Sequence, residues 1–243
     1  MPLSQLDYDK LCQSLGIPQG RRNYQNGYLY CDRLFNSYFQ NVITHLNSNC
    51  PKKIVVLFLE SCPANTANYI FGMPKSQVNW PNDSYLWNIY TGFFGKNPAN
   101  MLKQDCLNDL LNYRTIQGTN VPVVILDLFP FHGINLNGYR KNICSNIISN
   151  LLILEDVINR VRTFPSSIER LFLFGVPYII WNYLGGYGDG SIYMYSLSAQ
   201  MNNLSVQTGP LGSFHNTTVV VNIGGQNLSS RGIQDWRINE NIV

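Results

Sequence analysis

Residues 53–71, KIVVLFLESCPANTANYIF, decide the fold that the sequence predicts. Within this stretch residues 54–59 are all apolar, and β-branched and aromatic types are frequent among them. Such an unbroken apolar run is typical of a strand buried on both faces, as in a parallel sheet covered by helices. The run ends at the polar and turn-forming residues 60–63, ESCP. Because open α/β sheets bind their ligands outside the carboxyl ends of the strands, a site is expected just after Leu59.

Three further segments share the character of this first strand, and helical segments separate them. The predicted strands span 121–129, 170–174 and 217–223, each a mostly apolar run followed by turn-forming residues. Helical segments are expected between the strands at 85–94, 100–112, 139–162 and 178–184, and the one at 139–162 has a wide apolar face. Residues 229–241 are expected to form a final helix or an extended tail. Four buried strands alternating with helices predict a three-layer α/β/α sandwich with a central four-stranded parallel sheet. The chain is expected to form a single α/β domain over residues 1–243.

Two regions lie outside this alternation. Residues 1–51 are expected to form an N-terminal helical region that packs on the sheet, with a short helix at 6–15 and the main helix from Asp32 to about Leu46. Residues 185–215 are rich in Gly, Ser and Tyr. That composition favours either a mobile cover over a site or an ordered loop held by its own tyrosines.

Composition and charge narrow the classes of partner. Charged residues make up 13% of the chain, about half of the usual share, and the formal net charge is +3. This charge is too weak for a dedicated nucleic-acid-binding protein, although it permits a phosphate-rich partner. The six cysteines include no C-x-x-C pair, so no zinc ribbon is indicated, and neither a metal nor another cofactor is expected.

The amino terminus and the hydropathy bear on location. Residues 1–10 contain two Asp and lack the apolar core of a signal peptide. An intracellular protein with free thiols, in the cytoplasm or the nucleus, is therefore expected. No apolar run approaches the roughly 20 residues that a membrane helix needs, so no membrane partner is expected.

Polar residues at the ends of three predicted strands would meet at one edge of the sheet. They are Glu60, Ser61, Cys62, Asn65 and Asn68 after the first strand, Asp127 and His132 at the second, and Gln226, Asn227, Ser229, Ser230 and Arg231 after the fourth. Asp127 is the most unusual, because a carboxylate near the end of a buried strand is costly unless it is paired or faces a site. Ordinary interpretations also exist: Cys62 as a small buried residue, Asp127 as the cap of a turn, and His132 as a satisfied loop histidine.

These strand ends resemble the motifs of the uracil-DNA glycosylase superfamily, whose members hold a four-stranded parallel sheet between helices. The family's first motif follows strand one in forms such as GQDPY, GEAPG or GLAPA, and residues 60–64, ESCPA, stand there. An aromatic residue in the next loop of the family stacks on a flipped base, and Phe71 in NYIFG matches it. Strand two of the family ends in a base-reading Asn, near which LDLFPF places Asp127. The last family motif, HPSPLS, is echoed by residues 224–233, GGQNLSSRGI.

The resemblance implies a DNA-repair type of protein that binds a flipped base. If active, it would be a hydrolase of the N-glycosidic bond of a damaged or non-canonical base. By this resemblance Phe71 stacks on the base, Asp127 reads its edge, and Ser229 and Arg231 hold backbone phosphates. The expected substrate contacts are completed by Asn65, Asn68, Gln226, Asn227 and Ser230. Because the net charge is small, binding to DNA is expected to be weak and sensitive to salt.

The chain departs from the family pattern at two catalytic positions. Ser61 and Cys62 stand where the first motif has its water-activating Asp, Asn or Glu, and glycine stands where the last motif has His. Glycosidic cleavage requires a carboxylate and a hydrogen-bond donor to balance the charges that develop. The candidates for these roles are Glu60, Asp127 and His132. If none of them serves, the chain is a catalytically silent relative that only binds.

Two other classes of function stay open. Ser61 or Cys62 at a strand end, with His132 as base, would suit a hydrolase of small esters or amides. The G-x-S-x-G turn typical of such hydrolases is absent. A surface rich in Tyr and Asn but poor in charge would also suit a domain that binds a protein partner.

Overall fold

A computed structural model describes residues 9, 13, 29–59, 69–71, 76–81, 83–127, 160, 163–174, 229–239 and 241–243. Within them the chain forms a mixed α/β fold with a parallel sheet of three strands. The elements in chain order are helix α1 (Leu29–Asn49), strand β1 (Lys53–Leu59), helices α2 (Ser84–Phe94) and α3 (Lys103–Leu111), strands β2 (Val123–Asp127) and β3 (Arg170–Phe174), and helix α4 (Ser230–Asn239).

The sheet has the order β2-β1-β3, and β1 pairs with both neighbours in parallel. The register aligns Leu59 of β1 with Asp127 of β2, and Leu57 of β1 with Phe174 of β3. The bounds predicted for the first and third strands are confirmed. They could be predicted because the central strand of a parallel sheet is buried on both faces, which requires an unbroken apolar run.

The second strand begins later than predicted, at Val123 instead of residue 121. Pro122 has no N–H for a ladder bond, and its carbonyl accepts from Val55 N at 2.9 Å at the entry of the strand. Helix α3 likewise begins at Lys103 instead of residue 100. Asn100 has a φ of 68°, in the left-handed region that interrupts a right-handed helix. Both differences come from local backbone geometry at the ends of the elements.

Helix α1 presents the predicted apolar face, and it is three residues longer at each end than the sequence indicated. Its buried side chains recur at helical spacing: Phe35, Tyr38, Phe39, Val42 and Leu46. The Tyr38 hydroxyl accepts a hydrogen bond from Ile125 N of β2 at 3.0 Å. Burial raises the pKa of Tyr38, and this bond partly offsets the rise. Helix α1 is thereby fixed to β2.

Other predicted elements lie outside the described residues. They are the fourth strand at 217–223, the helix at 178–184, the irregular segment at 185–215, and most of the helices at 6–15 and 139–162. Arg160, at the end of the last of these, is described and buried. Its guanidinium donates to Asn36 Oδ1 at 2.9 Å and lies over the Phe35 ring at 4.6 Å from the ring centroid. None of the described helices has both the length and the apolarity needed to cross a membrane.

Helix α4 packs against α2 at a glycine. A Cβ atom built on Gly92 would lie 2.6 Å from Ile233 Cβ and 2.7 Å from Ile233 Cγ2. Ile233 itself is fully buried. The two helices therefore approach more closely than any residue with a side chain would allow, and Gly92 is required by this contact.

We expect Gly92→Ala to lower the free energy of unfolding by about 1–2 kcal/mol. The overlap with Ile233 costs roughly 1–3 kcal/mol, and the better helix propensity of Ala returns up to about 1 kcal/mol. Urea denaturation of the parent and the variant measures the difference. A variant more stable than the parent, the ordinary result for Gly→Ala in a helix, would show that the helices do not approach this closely.

The carboxyl terminus closes onto the end of α2. Arg237 of α4 donates to the Gly92 carbonyl at 2.8 Å and also to the Phe93 carbonyl. The Ile242 carbonyl accepts from Tyr113 Oη at 2.9 Å and from Arg237 Nε at 3.3 Å. Three of these four bonds join residues far apart in sequence, and the two from Arg237 to Gly92 and Phe93 hold α4 against the end of α2.

Candidate functional site

The strand order indicates where an open α/β sheet of this kind would bind a ligand. From β1 the chain passes to β2 on one side, and it then crosses to β3 on the other side. The carboxyl ends of neighbouring strands whose connections leave in opposite directions form the usual ligand site of an open α/β sheet. In this chain that switch point lies between β1 and β3, and β2 flanks it. The described strand ends at this edge are Leu59, Asp127 and Phe174.

Asp127, the last residue of β2, is at this edge and is only 3% exposed. One of its oxygens, Oδ2, accepts a hydrogen bond from the Tyr69 hydroxyl at 2.7 Å. The distance is ordinary for an O–H···O hydrogen bond. The buried carboxylate that was unusual in the sequence is thus paired, and its partner follows the last residue of β1 by ten positions in the chain.

Tyr69 is held in turn through its backbone. Its carbonyl accepts from Lys103 Nζ at 3.3 Å. The same ammonium lies 2.7 Å from Asp83 Oδ1, and the two side chains are 2% and 3% exposed. The ion pair is close in distance, although the Asp83 Oδ1 atom lacks hydrogen-bond geometry. We call Asp127, Tyr69, Lys103 and Asp83 the carboxyl-edge network.

Asp83 also orders the loop before α2. Its Oδ2 atom accepts from Asn79 N at 2.7 Å, and Asp83 N donates to Asn79 O at 2.9 Å. Trp80 within this turn is 51% exposed, and its ring centroid is 5.8 Å from that of Trp87 on α2. The carboxyl-edge network therefore extends from the end of β2 to a turn at the surface.

Phe71, predicted to stack on a base, is 4% exposed. Its ring centroid lies 4.6 Å from that of Tyr38, 5.2 Å from that of Phe35 and 5.3 Å from that of Tyr69. The ring is packed between α1 and the Tyr69 side chain. Stacking on a base would require one of these three rings to move aside.

Ser229, Ser230 and Arg231 lie at the amino end of α4. The Ser229 hydroxyl accepts from Gly232 N at 3.1 Å, which is the bond of a helix N-cap. Ser230 is the first residue of the helix and is partly buried. The Arg231 side chain is 91% exposed, and its Nε atom lies 3.9 Å from Asp235. Ser229 therefore has a structural role, and Arg231 projects from the surface.

The other predicted site residues lie outside the described residues. They are Glu60, Ser61, Cys62, Asn65, Asn68, His132, Gln226 and Asn227. Their positions relative to Asp127 stay predictions, and the ester or amide hydrolase interpretation depends on three of them. Among the residues that the structure describes, no group of three or more His, Cys, Asp or Glu side chains is placed to hold a metal ion.

Sequence reasoning missed Tyr69, Lys103 and Asp83. Lys103 did carry a signal, because it stands in line with the apolar face of α3, which Cys106, Leu107 and Leu110 form at helical spacing. A lysine on a buried helix face needs a counter-ion. The identity of that counter-ion could not be read from the sequence, because Asp83 lies on a different element.

The arrangement favours recognition of hydrogen-bond donors. A carboxylate has about four acceptor positions and no donor, and the Tyr69 hydroxyl uses one of these positions. In a buried setting an N–H group of a ligand that reaches this carboxylate would gain a charge-assisted bond. A ligand carbonyl in the same place would oppose one acceptor to another.

Comparison of the chain with protein-family models, with curated proteins and with solved structures finds no match.

Proposed function

We propose that the protein binds an extruded base of DNA at the carboxyl ends of its strands, as a uracil-DNA-glycosylase-like protein. The observation that carries this proposal is the Tyr69–Asp127 contact at the end of β2. Tyr69, two residues before the aromatic residue that matches the family, contacts Asp127, and Asp127 is the partner of Leu59 in the register. A loop that leads to such a contact can enclose a base beside the residue that reads its edge.

The proposal includes a completed sheet. Residues 217–223 would add a fourth parallel strand, and helices on both faces would make a three-layer α/β/α sandwich. The parallel arrangement of the three described strands and the packing of α1 on β2 support this architecture. The residues after the fourth strand would then reach the same edge as Asp127.

The proposed reaction, if the protein is an enzyme, is hydrolysis of the N-glycosidic bond. Water would add to C1′ of the deoxyribose as the bond to the base breaks, and the base would leave with the bonding electron pair. Positive charge on the sugar and negative charge on the base then need stabilisation. Because Asp127 is already bonded to Tyr69, we assign it to holding the base. The roles at the sugar and the leaving base are assigned to Glu60 and His132.

The base preference follows from the chemistry of Asp127. A carboxylate that faces the amine of cytosine or adenine forms a charge-assisted bond, whereas facing a uracil carbonyl it costs roughly 1–3 kcal/mol. We expect the parent protein to bind cytosine or adenine at least about fivefold more tightly than uracil, and Asp127→Asn to shift the preference toward uracil. The measurement is fluorescence anisotropy at low salt. The probes are duplexes that carry each base opposite an abasic-site analogue, so that extrusion is easy.

Asp109→Asn is the matched control for this experiment, because Asp109 Oδ2 also accepts from a tyrosine hydroxyl, that of Tyr90, at 2.7 Å. The control should keep the base preference of the parent. If the parent and Asp127→Asn show equal preference, Asp127 does not touch the base and has only a structural role.

A separate experiment tests for glycosylase activity, in which the protein is incubated with duplexes carrying uracil, hypoxanthine, xanthine or alkylated bases. Selective binding with no abasic product from any of them would leave the silent, binding form of the proposal.

A further inference from the structure

Tyr69 is held by three contacts, two through its side chain and one through its backbone. Its hydroxyl donates to Asp127 Oδ2 at 2.7 Å, and its backbone carbonyl accepts from Lys103 Nζ at 3.3 Å. Its ring meets the Phe71 ring edge-on, with centroids 5.3 Å apart. Only 2% of the residue is exposed. A phenol held in this way has one orientation, and it therefore imposes one orientation on the carboxylate that it contacts.

The Lys103–Asp83 pair is a second unusual feature of the same region. Two charges this far from water lose much of their hydration, and an apolar pair of similar size often stabilises a fold as well or better. Stability alone is thus a weak reason for its presence. Its specific effect is geometric, because Lys103 joins the Tyr69 carbonyl to Asp83. The pair fixes the backbone at Tyr69, whose hydroxyl contacts the end of β2.

We propose that Tyr69 is a specificity-determining positioning residue, which orients the Asp127 carboxylate and keeps it an acceptor, and that the Lys103–Asp83 pair holds Tyr69 in place. This inference rests on the proposed function, in which Asp127 touches the base. The preference for an amine-bearing base is then set by Tyr69 and Asp127 together and not by Asp127 alone.

The physical basis is the stabilisation of the charged carboxylate by a hydroxyl donor. A hydrogen bond donated to an ionised carboxylate favours the charged form. Without the Tyr69 hydroxyl, Asp127 in its buried position takes up a proton more readily, and the neutral acid can donate to a uracil carbonyl. Tyr69 thus selects against uracil by maintaining the charge. Among the described residues, Lys103 bonds the Tyr69 carbonyl and pairs with Asp83, and the Tyr38 hydroxyl bonds Ile125 two residues before Asp127. The same helices and the central strand also carry His45, Lys53, Asp105, Cys106 and Asp109.

The test is Tyr69→Phe, which removes the hydroxyl and keeps the ring packed on Phe71. The Asp127 carboxyl carbon is followed by NMR in protein labelled at aspartate, with Asp127→Asn to assign the signal. We expect the midpoint of Asp127 titration to rise by about one to two pH units in the variant. The preference for cytosine or adenine over uracil is measured on duplexes with an abasic-site analogue opposite the base. As the pH is lowered, the variant should lose this preference at a higher pH than the parent does.

Tyr90→Phe is the matched control, since Tyr90 donates to Asp109 Oδ2 over the same 2.7 Å. It removes an equivalent bond elsewhere, so it should leave the Asp127 titration and the base preference unchanged. A general loss of stability would affect both variants alike, and only a positioning role separates them. The variant Lys103→Met/Asp83→Asn should reproduce part of the Tyr69→Phe effect, because the Tyr69 carbonyl is no longer held.

The outcomes separate this inference from the proposed function. If Tyr69→Phe titrates and selects bases as the parent does, while Asp127→Asn changes the preference, the positioning role is wrong and the proposed function stands. If neither the parent nor Asp127→Asn discriminates among bases, the proposed function is wrong. In that case a shift of the Asp127 titration in Tyr69→Phe would show only that the hydrogen bond is structural. The role of Tyr69 in specificity would be overturned.

Discussion

Replacing Lys103 with Met is expected to lower the free energy of unfolding by about 3–5 kcal/mol, because it leaves a buried carboxylate without its cation. The ammonium lies 2.7 Å from Asp83 Oδ1, and neither side chain is more than 3% exposed. The Met side chain fills the volume of the Lys stem, so that little of the loss comes from packing. Asp83→Asn should cost a similar amount, since it leaves the lysine charged and buried.

The double variant Lys103→Met/Asp83→Asn tests this explanation directly. Both charges are removed together, and the Asn oxygen can still accept from Asn79 N, which now bonds Asp83 Oδ2 at 2.7 Å. We expect the double variant to be within about 1.5 kcal/mol of the parent, much closer than either single variant. Urea denaturation at neutral pH, followed by circular dichroism, supplies the three values.

Lys52→Met is the control for ion-pair loss at the surface. Lys52 Nζ lies 2.9 Å from Glu169 Oε1, but the side chains are 73% and 61% exposed. Its loss should cost no more than about 1 kcal/mol. The explanation would be contradicted if Lys103→Met were as mild as Lys52→Met, or if the double variant were as unstable as the single variants.

The second large effect is expected at Arg237, where Arg237→Met should lower the free energy of unfolding by about 2–4 kcal/mol. The last carbonyls of a helix have no partner within the helix, and Arg237 supplies one to Gly92 and Phe93 at the end of α2. A cation at this end of a helix also interacts favourably with its dipole. The guanidinium further lies 5.5 Å from the Phe93 ring centroid and 5.2 Å from that of Tyr113.

Thermal unfolding checks this expectation, because each 1 kcal/mol corresponds to roughly 2–4 °C for a chain of this size. Arg114→Met is the matched control: Arg114 also donates to a backbone carbonyl, that of Gly118 at 3.2 Å, but at an exposed turn. We expect its melting temperature to change by no more than about 2 °C. Equal melting temperatures for Arg237→Met and the parent would show that the bonds to α2 contribute nothing to stability.

The two predictions concern different parts of the domain. The Lys103–Asp83 pair belongs to the carboxyl-edge network, and its loss is expected to disturb the candidate site as well as stability. Arg237 acts at the far end of α2, and its loss should leave the base preference intact. Measuring binding in the stable fraction of each variant therefore separates damage to the site from damage to the fold.

The candidate site was only partly visible in the sequence. Asp127 could be singled out because a carboxylate at the end of an apolar strand conflicts with its surroundings. Its partner Tyr69 could not be identified, since the two are 58 positions apart and their contact depends on how the intervening helices and β2 pack. Phe71 shows the same limit. An aromatic residue in a polar loop suits a base platform or a core, and the structure packs it among three other rings.

Elements with a local pattern could be predicted from the amino-acid sequence. The strands at 53–59 and 170–174 are visible as apolar runs, because a strand buried on both faces needs apolar residues at successive positions. Helix α1 is visible as apolar residues repeated every three or four positions, because only one of its faces is buried. Three features could be seen only in the folded chain: the strand order β2-β1-β3, the pairing of Lys103 with Asp83, and the capping of α2 by Arg237 across 145 residues. Each of these joins groups that are distant along the chain, and the local sequence around one group contains no information about which distant group will lie beside it.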